Sequence, residues 1–211
     1  LSTVRTRHDL TGPSLKLSYA TPRLIGLRGG ISLTPSADAD GLDRRPNAGP
    51  GGIAPKTENA IEFALNGTRR LRDSGWRFDI GLAWSTADIS KPSLLAPYDR
   101  IETVSAGTRI EKDEWTFGAS WLGSDNGLAN SDYSAWSAGL HREAYEMDFS
   151  VEFGQAEDDG VGLESQSFRV GASREFRESA KIALGYVQDW NERLDQNWES
   201  KGVVVEITLS Q

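Results

Sequence analysis

The 211-residue chain contains no cysteine, a single methionine and only two histidines, His8 and His141. Those absences remove disulfide scaffolds, thiolate metal centres and cysteine nucleophiles together. No stretch approaches the roughly 18 consecutive apolar residues that a membrane helix needs, and mean hydropathy is −0.48. A membrane barrel stays open, because a transmembrane strand shows lipid only every second side chain and its average hydropathy stays modest. Basic clusters are also missing. The balance of 23 Lys and Arg against 31 Asp and Glu gives a net charge of −8, which argues against a nucleic-acid partner. Leu1 carries neither an initiator Met nor a signal-peptide pattern, so the chain reads as mature, trimmed or partial. Helical i, i+3, i+4 stripes are scarce throughout.

What is present is alternation with period two. In "GWRFDIGLAWSTAD", residues 75–88, one face holds Trp76, Phe78, Ile80, Leu82 and Trp84 and the other Arg77, Asp79, Gly81, Ala83 and Ser85. The same pattern predicts eleven strands, at 14–21, 24–34, 58–69, 75–87, 99–111, 114–123, 132–143, 146–156, 164–175, 180–189 and 201–210. Most are near ten residues, the length a tilted membrane strand needs. Short connections ("TPRL", "RLRDSG", "EKDE", "EAYE", "FRESA") alternate with longer ones, such as "DISKPSLLAPY", "GSDNGLANS", "EDDGVGLE" and "WNERLDQNWE". Short turns on one rim and long loops on the other suit an up-and-down barrel in an outer membrane.

Any antiparallel sheet with one wet face alternates in this way, so a soluble sandwich or barrel competes on that evidence alone. Strand length, charges mixed with Gly, Ala and Ser on the polar faces, and aromatics at strand ends favour the membrane. Trp76 and Trp84 are eight residues apart, about 26 Å along a strand, close to the height of a lipid-facing band bordered by aromatic girdles. Trp76, Trp84, Trp115, Trp121, Trp136 and Tyr186 are the expected girdle residues. The fold class is therefore all-β, an antiparallel up-and-down transmembrane β-barrel, with residues 1–211 as a single domain.

At "SLKLSYATPRLIGLRGGISLTPSADADG", residues 14–41, the sequence resembles the general porins of Gram-negative outer membranes, most like those of alphaproteobacteria. A strand ending in Tyr19 meets a tight turn with Pro22 and Gly26, then a strand ending in "SLTPS" ahead of a long loop. "KGVVVEITLSQ" resembles a porin's closing strand. The resemblance implies a sixteen-strand barrel of which this chain is the C-terminal part, residues 1–13 ending the inward-folded constriction loop and 14–211 forming wall strands, short periplasmic turns and long extracellular loops. An odd strand count points the same way, since single-chain bacterial barrels have even numbers. Gln211 departs from the terminal Phe usual in such porins. The resemblance further implies a homotrimer in contact with membrane lipid and lipopolysaccharide, passing small hydrophilic solutes and ions by diffusion. The competing reading is a non-transporting barrel with a structural or adhesive role through its acidic surface loops.

In a barrel, function lies in the charges that face the lumen. Strand parity and the neighbouring loop select Arg5, Arg7, Lys16, Arg28, Glu62, Asp79, Arg109, Asp148, Glu152 and Arg169 as pore-lining, with His141 and Glu206 on the same faces. Opposed acids and bases across a narrow pore filter by charge and size without a covalent step. No cofactor is expected. The acidic loop segments "DADGLD", "EDDG" and "NERLDQN" are read as solvated charge, with loop-bound Ca²⁺ as the alternative. No enzyme is expected, because no "GxSxG" or similar nucleophile setting occurs and His141 shares its face with Ala135, Ser137 and Gly139.

Overall fold

The computed structural model describes residues 4, 6, 8, 10–11, 14–37, 57–89, 100–127, 132–176, 180–194 and 196–209. They form one sheet of eleven antiparallel strands in which neighbours in sequence are neighbours in space. The strands are β1 (Leu17–Ala20), β2 (Leu27–Ala37), β3 (Thr57–Arg70), β4 (Arg77–Ile89), β5 (Arg100–Lys112), β6 (Trp115–Ser124), β7 (Tyr133–Ala144), β8 (Met147–Asp158), β9 (Leu163–Phe176), β10 (Ala180–Arg193) and β11 (Gln196–Leu209). Eleven were expected and eleven are found, with most starts shifted by one to three residues. Fourteen-residue β3, β9, β10 and β11 run beyond the length a bilayer requires.

Two connections differ from expectation. "EDDGVGLE" shrinks to residues 159–162 between β8 and β9, and "WNERLDQNWE" becomes mostly strand, with β10 and β11 in register as far as Arg193↔Gln196. Residues 190–193 and 196–199 continue the β10–β11 ladder, and the polar residues that read as loop are strand residues. The loops spanning 38–56, 90–99 and 128–131 fall outside the described residues.

Turn chemistry sets the opposite rim. Between β7 and β8 the loop is two residues, Tyr145 and Glu146, both at positive φ (54° and 60°), the geometry of the two-residue turn whose twist matches paired strands. Gly26 sits at φ 84°, and a Cβ there would stand 2.3 Å from the Thr68 carbonyl oxygen. Its own carbonyl accepts from Thr68 N–H at 2.9 Å. Only glycine permits that approach between the β1–β2 turn and the end of β3.

The sheet has no central hydrophobic core. One face carries the large apolar side chains, exposed although apolar: Phe63, Leu82, Trp121, Phe153, Leu184 and Val205 among many. A continuous exposed apolar face of this extent marks a lipid or protein contact. The two buried clusters lie on the other face, Leu10 with Ala60, Ala87, Ile89 and Ile101, and Leu122 with Tyr133, Ala135, Ala156 and Val4.

Candidate pore-lining wall

Register decides which side chains share a face, and the antiparallel ladder fixes it strand by strand. Thr68, Asp79, Arg109, Gly118, Gly139, Glu152 and Arg169 stand opposite one another across β3 to β9 in one continuous row. Arg28 pairs in register with Asn66, Glu62 with Ser85, His141 with Ser150, and Asp148 with Ser173. Parity therefore places the strand residues selected from the sequence together on the polar face. Arg5 and Arg7 lie outside the described residues.

Towards the short-turn rim, charges on this face are paired. Asp79 receives Thr68 Oγ1–H at 2.6 Å and lies 3.2 Å from Arg77 Nε and 3.1 Å from Arg109 Nη2. Glu111 completes a box, 3.4 Å from Arg77 Nη1 and 3.0 Å from Arg109 Nε. Two acids and two bases leave the group neutral. Further round, Asp148 Oδ1 is 3.3 Å from His141 Nε2, and its Oδ2 accepts from Ser173 Oγ at 3.2 Å with Lys181 Nζ at 3.7 Å. Glu152 and Arg169 are 3.9 Å apart. Arg28 is exposed and has no ion-pair partner among the described residues. The face lines a trough of about 1010 Å³ that includes Arg109, His141, Glu152, Arg169 and Asp189.

The N-terminal segment crosses the other half of the same face. Val4 packs on the Leu122 cluster, Thr6 Oγ1 accepts from Ser120 Oγ at 2.7 Å, and His8 Nδ1 is hydrogen-bonded to Ser105 Oγ at 3.1 Å. Leu10, 3% exposed, fills the seat made by β3, β4 and β5. Thr11 Oγ1 donates to Glu62 at 3.0 Å and accepts from Lys16 Nζ at 2.6 Å, and Lys16 stands 3.5 Å from Glu62. Residues 4, 6, 8, 10 and 11 thus mark a strap from β8 back to β3, with an apolar anchor near each end. The seats were missed in sequence. Their signal was present, because Ala87, Ile89, Ile101, Leu122 and Tyr133 interrupt an otherwise polar face.

The aromatic residues lie on the apolar face at two levels. On the short-turn side, Trp76 stacks with Phe78 at 6.0 Å under Lys112 Nζ, which is 5.0 Å from the ring, and Arg142 covers Trp115 at 4.7 Å. Both are cation–π contacts in which the ring keeps one face apolar. On the other side, Trp84 Nε1–H donates to Glu102 at 2.5 Å, and Trp121 and Trp136 stand directly opposite each other. Tyr186 lies further inside β10, between Val170 and Val203, its hydroxyl donating to Gln188 at 2.9 Å. Trp190, four residues on, pairs in register with Gln166 and Glu199 nearer the end of the strand.

No group of three or more His, Cys, Asp or Glu is placed to hold a metal ion among the described residues. "DADGLD" falls outside them, while Asp158 of "EDDG" is buried and accepts from Val161 N–H at 3.3 Å.

Solved structures share this wall. The anion-selective porin from Comamonas acidovorans superposes with a TM-score of 0.65 at 10% identity, over 92% of this chain and 58% of that one. Salmonella typhi OmpF in complex with daunomycin gives 0.66 at 12%, over 92% and 61%. The outer membrane protein OpdK from Pseudomonas aeruginosa gives 0.57 at 11%, over 90% and 68%. The chain thus spans about three fifths of the length of the first two, and the likeness establishes the barrel-wall fold. No curated protein matches the sequence significantly. The Gram-negative porin family matches residues 3–194. By that match over most of its length, on a wall with one lipid-suited and one water-suited face, the chain belongs to the Gram-negative porins of the bacterial outer membrane.

Proposed function

We propose that this chain forms most of the wall of a water-filled channel through which small hydrophilic solutes and ions diffuse passively. The observation that carries the reading is the sorting of one sheet into two faces. Large apolar and aromatic side chains are exposed on one, and paired charges, hydroxyls and glycines line a trough on the other. Water is favoured on the second face because its charges keep high-dielectric surroundings, and lipid on the first because its strands have no wet partner there.

In this reading residues 1–13, which include the strap, are the end of an inward-folded segment that narrows the channel, and 14–211 supplies wall, turns and loops. Arg5, Arg7, Lys16, Arg28, Glu62, Asp79, Arg109, Asp148, Glu152 and Arg169 bias permeation by the field they project into the lumen. Trp76, Trp84, Trp115, Trp121, Trp136 and Tyr186 seat the wall in the bilayer, and lipopolysaccharide contacts the outer rim. The assembly is a homotrimer with one pore per protomer. No covalent step and no cofactor is involved.

Planar-bilayer recording of the protein extracted from outer membranes with detergent tests this. Discrete, ohmic conductance steps grouped in threes are expected. Stable insertion without conductance would favour a structural or adhesive barrel and defeat the channel reading.

A further inference from the structure

Asp189 on β10 is the one aspartate of the inner wall that the pairings above leave aside. It is 6% exposed, its Oδ1 is buried without a hydrogen-bond partner among the described residues, and it lines the trough. An isolated buried carboxylate is costly, and proteins ordinarily pair it, neutralise it or supply a cation. The basic residues nearest along the neighbouring strands are engaged elsewhere, Arg169 with Glu152 at 3.9 Å and Lys201 with Glu199 at 3.8 Å. What stands directly opposite Asp189 is hydroxyl on both sides, Ser167 on β9 and Ser200 on β11. Cross-strand partners of this kind hold their Cβ atoms about 5 Å apart, so a hydroxyl-bearing residue flanks the carboxylate on each side.

The level at which this happens is informative. Asp189 belongs to the cross-strand row that runs from Ser120 through Ser137, Gly154 and Ser167. The strap lies along that same row, with Thr6 on Ser120, while a Cβ on Gly154 would stand 2.9 Å from Val4 Cγ1. Asp189 is two strands past the Val4 anchor on that row.

We infer that Asp189, flanked by Ser167 and Ser200, is a binding station for a small monovalent cation in the channel wall, at the level of the strap. A single carboxylate gives weak, rapidly reversible binding. That is the affinity a conducting pathway needs, since an ion must enter a site and also leave it. This inference rests on the channel reading.

The experiment is a pair of bilayer measurements on the porin as extracted from outer membranes, with potassium chloride as the probe. Zero-current potentials across a salt gradient should show the K⁺/Cl⁻ permeability ratio falling about twofold in Asp189→Asn. That is the effect, opposite in sign on K⁺ and Cl⁻, of one unit charge some 8 Å from the permeating ion in a water-like medium screened by about 0.1 M salt. Asp189→Glu should keep the wild-type ratio. Wild-type conductance should also saturate with rising potassium chloride, which keeps the inference testable if Asp189→Asn fails to assemble. An Asp189→Asn channel with an unchanged ratio overturns the inference, as does wild-type conductance proportional to salt throughout. Absence of any wild-type conductance defeats the channel reading itself, whereas conducting channels indifferent to Asp189 defeat only the cation station.

Discussion

The inner wall has two halves built on different terms. Under the strap, β3 to β8 present small and apolar side chains, Ala60, Ala87, Ala135, Ala156, Leu122 and Ile101, and the chain's own N-terminal segment shields them. Towards the short-turn rim nothing described covers the wall, and its charges are closed into pairs and boxes around Asp79 and Asp148. The difference teaches that facing the lumen does not dictate one chemistry. Where protein covers the wall, burial of apolar surface holds the parts together. Where water covers it, the charges satisfy one another and stay soluble.

The largest effect should come from emptying an apolar seat. Leu10→Ala is expected to weaken the seated strap by about 2–5 kcal/mol and to raise single-channel conductance with added flicker in bilayer records. An unchanged conductance would show that the strap does not limit the pore. Second comes crowding from the wall side, because a Cβ at Gly154 meets Val4 Cγ1 at 2.9 Å and the Trp136 carbonyl oxygen at 3.0 Å, whereas one at Gly81 meets nothing within 4 Å. Gly154→Ala should therefore cost about 1–3 kcal/mol and lower the temperature at which the folded band converts on a heat-modifiability gel. Gly81→Ala should leave that temperature unchanged, and equal shifts for both would erase the distinction between the halves.

In the uncovered half, Asp79→Asn removes the negative charge that Arg77 and Arg109 share and that Thr68 hydrogen-bonds. Part-exposed pairs of this kind are worth about 1 kcal/mol or less and are screened by salt. Stability should barely move while the zero-current potential shifts towards anions, more at low ionic strength than at high. A shift independent of salt would mean that the box is drier than its exposure indicates. The smallest effect belongs to the rim. Replacing Tyr145 with Asn and Glu146 with Gly suits both positive-φ positions better and should stabilise by about 0.4–1 kcal/mol in urea unfolding, with conductance unaltered.

Much of the wall was legible because a transmembrane strand writes its orientation into every second residue. Phe63 and Leu65 against Glu62 and Asn66, or Phe149 and Val151 against Asp148 and Ser150, read the same in sequence and in register. The far end of the β10–β11 hairpin, residues 190–199, was read as a loop because its residues are polar on both faces and lose the hydropathy contrast. Strap contacts were illegible for another reason. Thr6 meets Ser120 across 114 residues of chain, and no periodicity records which distant wall position a short segment will touch. Asp189 was passed over because its lack of a charged partner is a property of three strands together.

The strict neighbour-to-neighbour order of the strands has a consequence for the order of folding. Each strand pairs only with those adjacent to it in the chain, so the wall can be laid down hairpin by hairpin at little loop-closure cost. The strap is the exception, since the wall positions it meets lie far along the chain. Val4 has no seat until β6, β7 and β8 stand together. The strap's seats thus exist only once distant strands have come together, and a wall without its seated strap has a wider opening than the finished one.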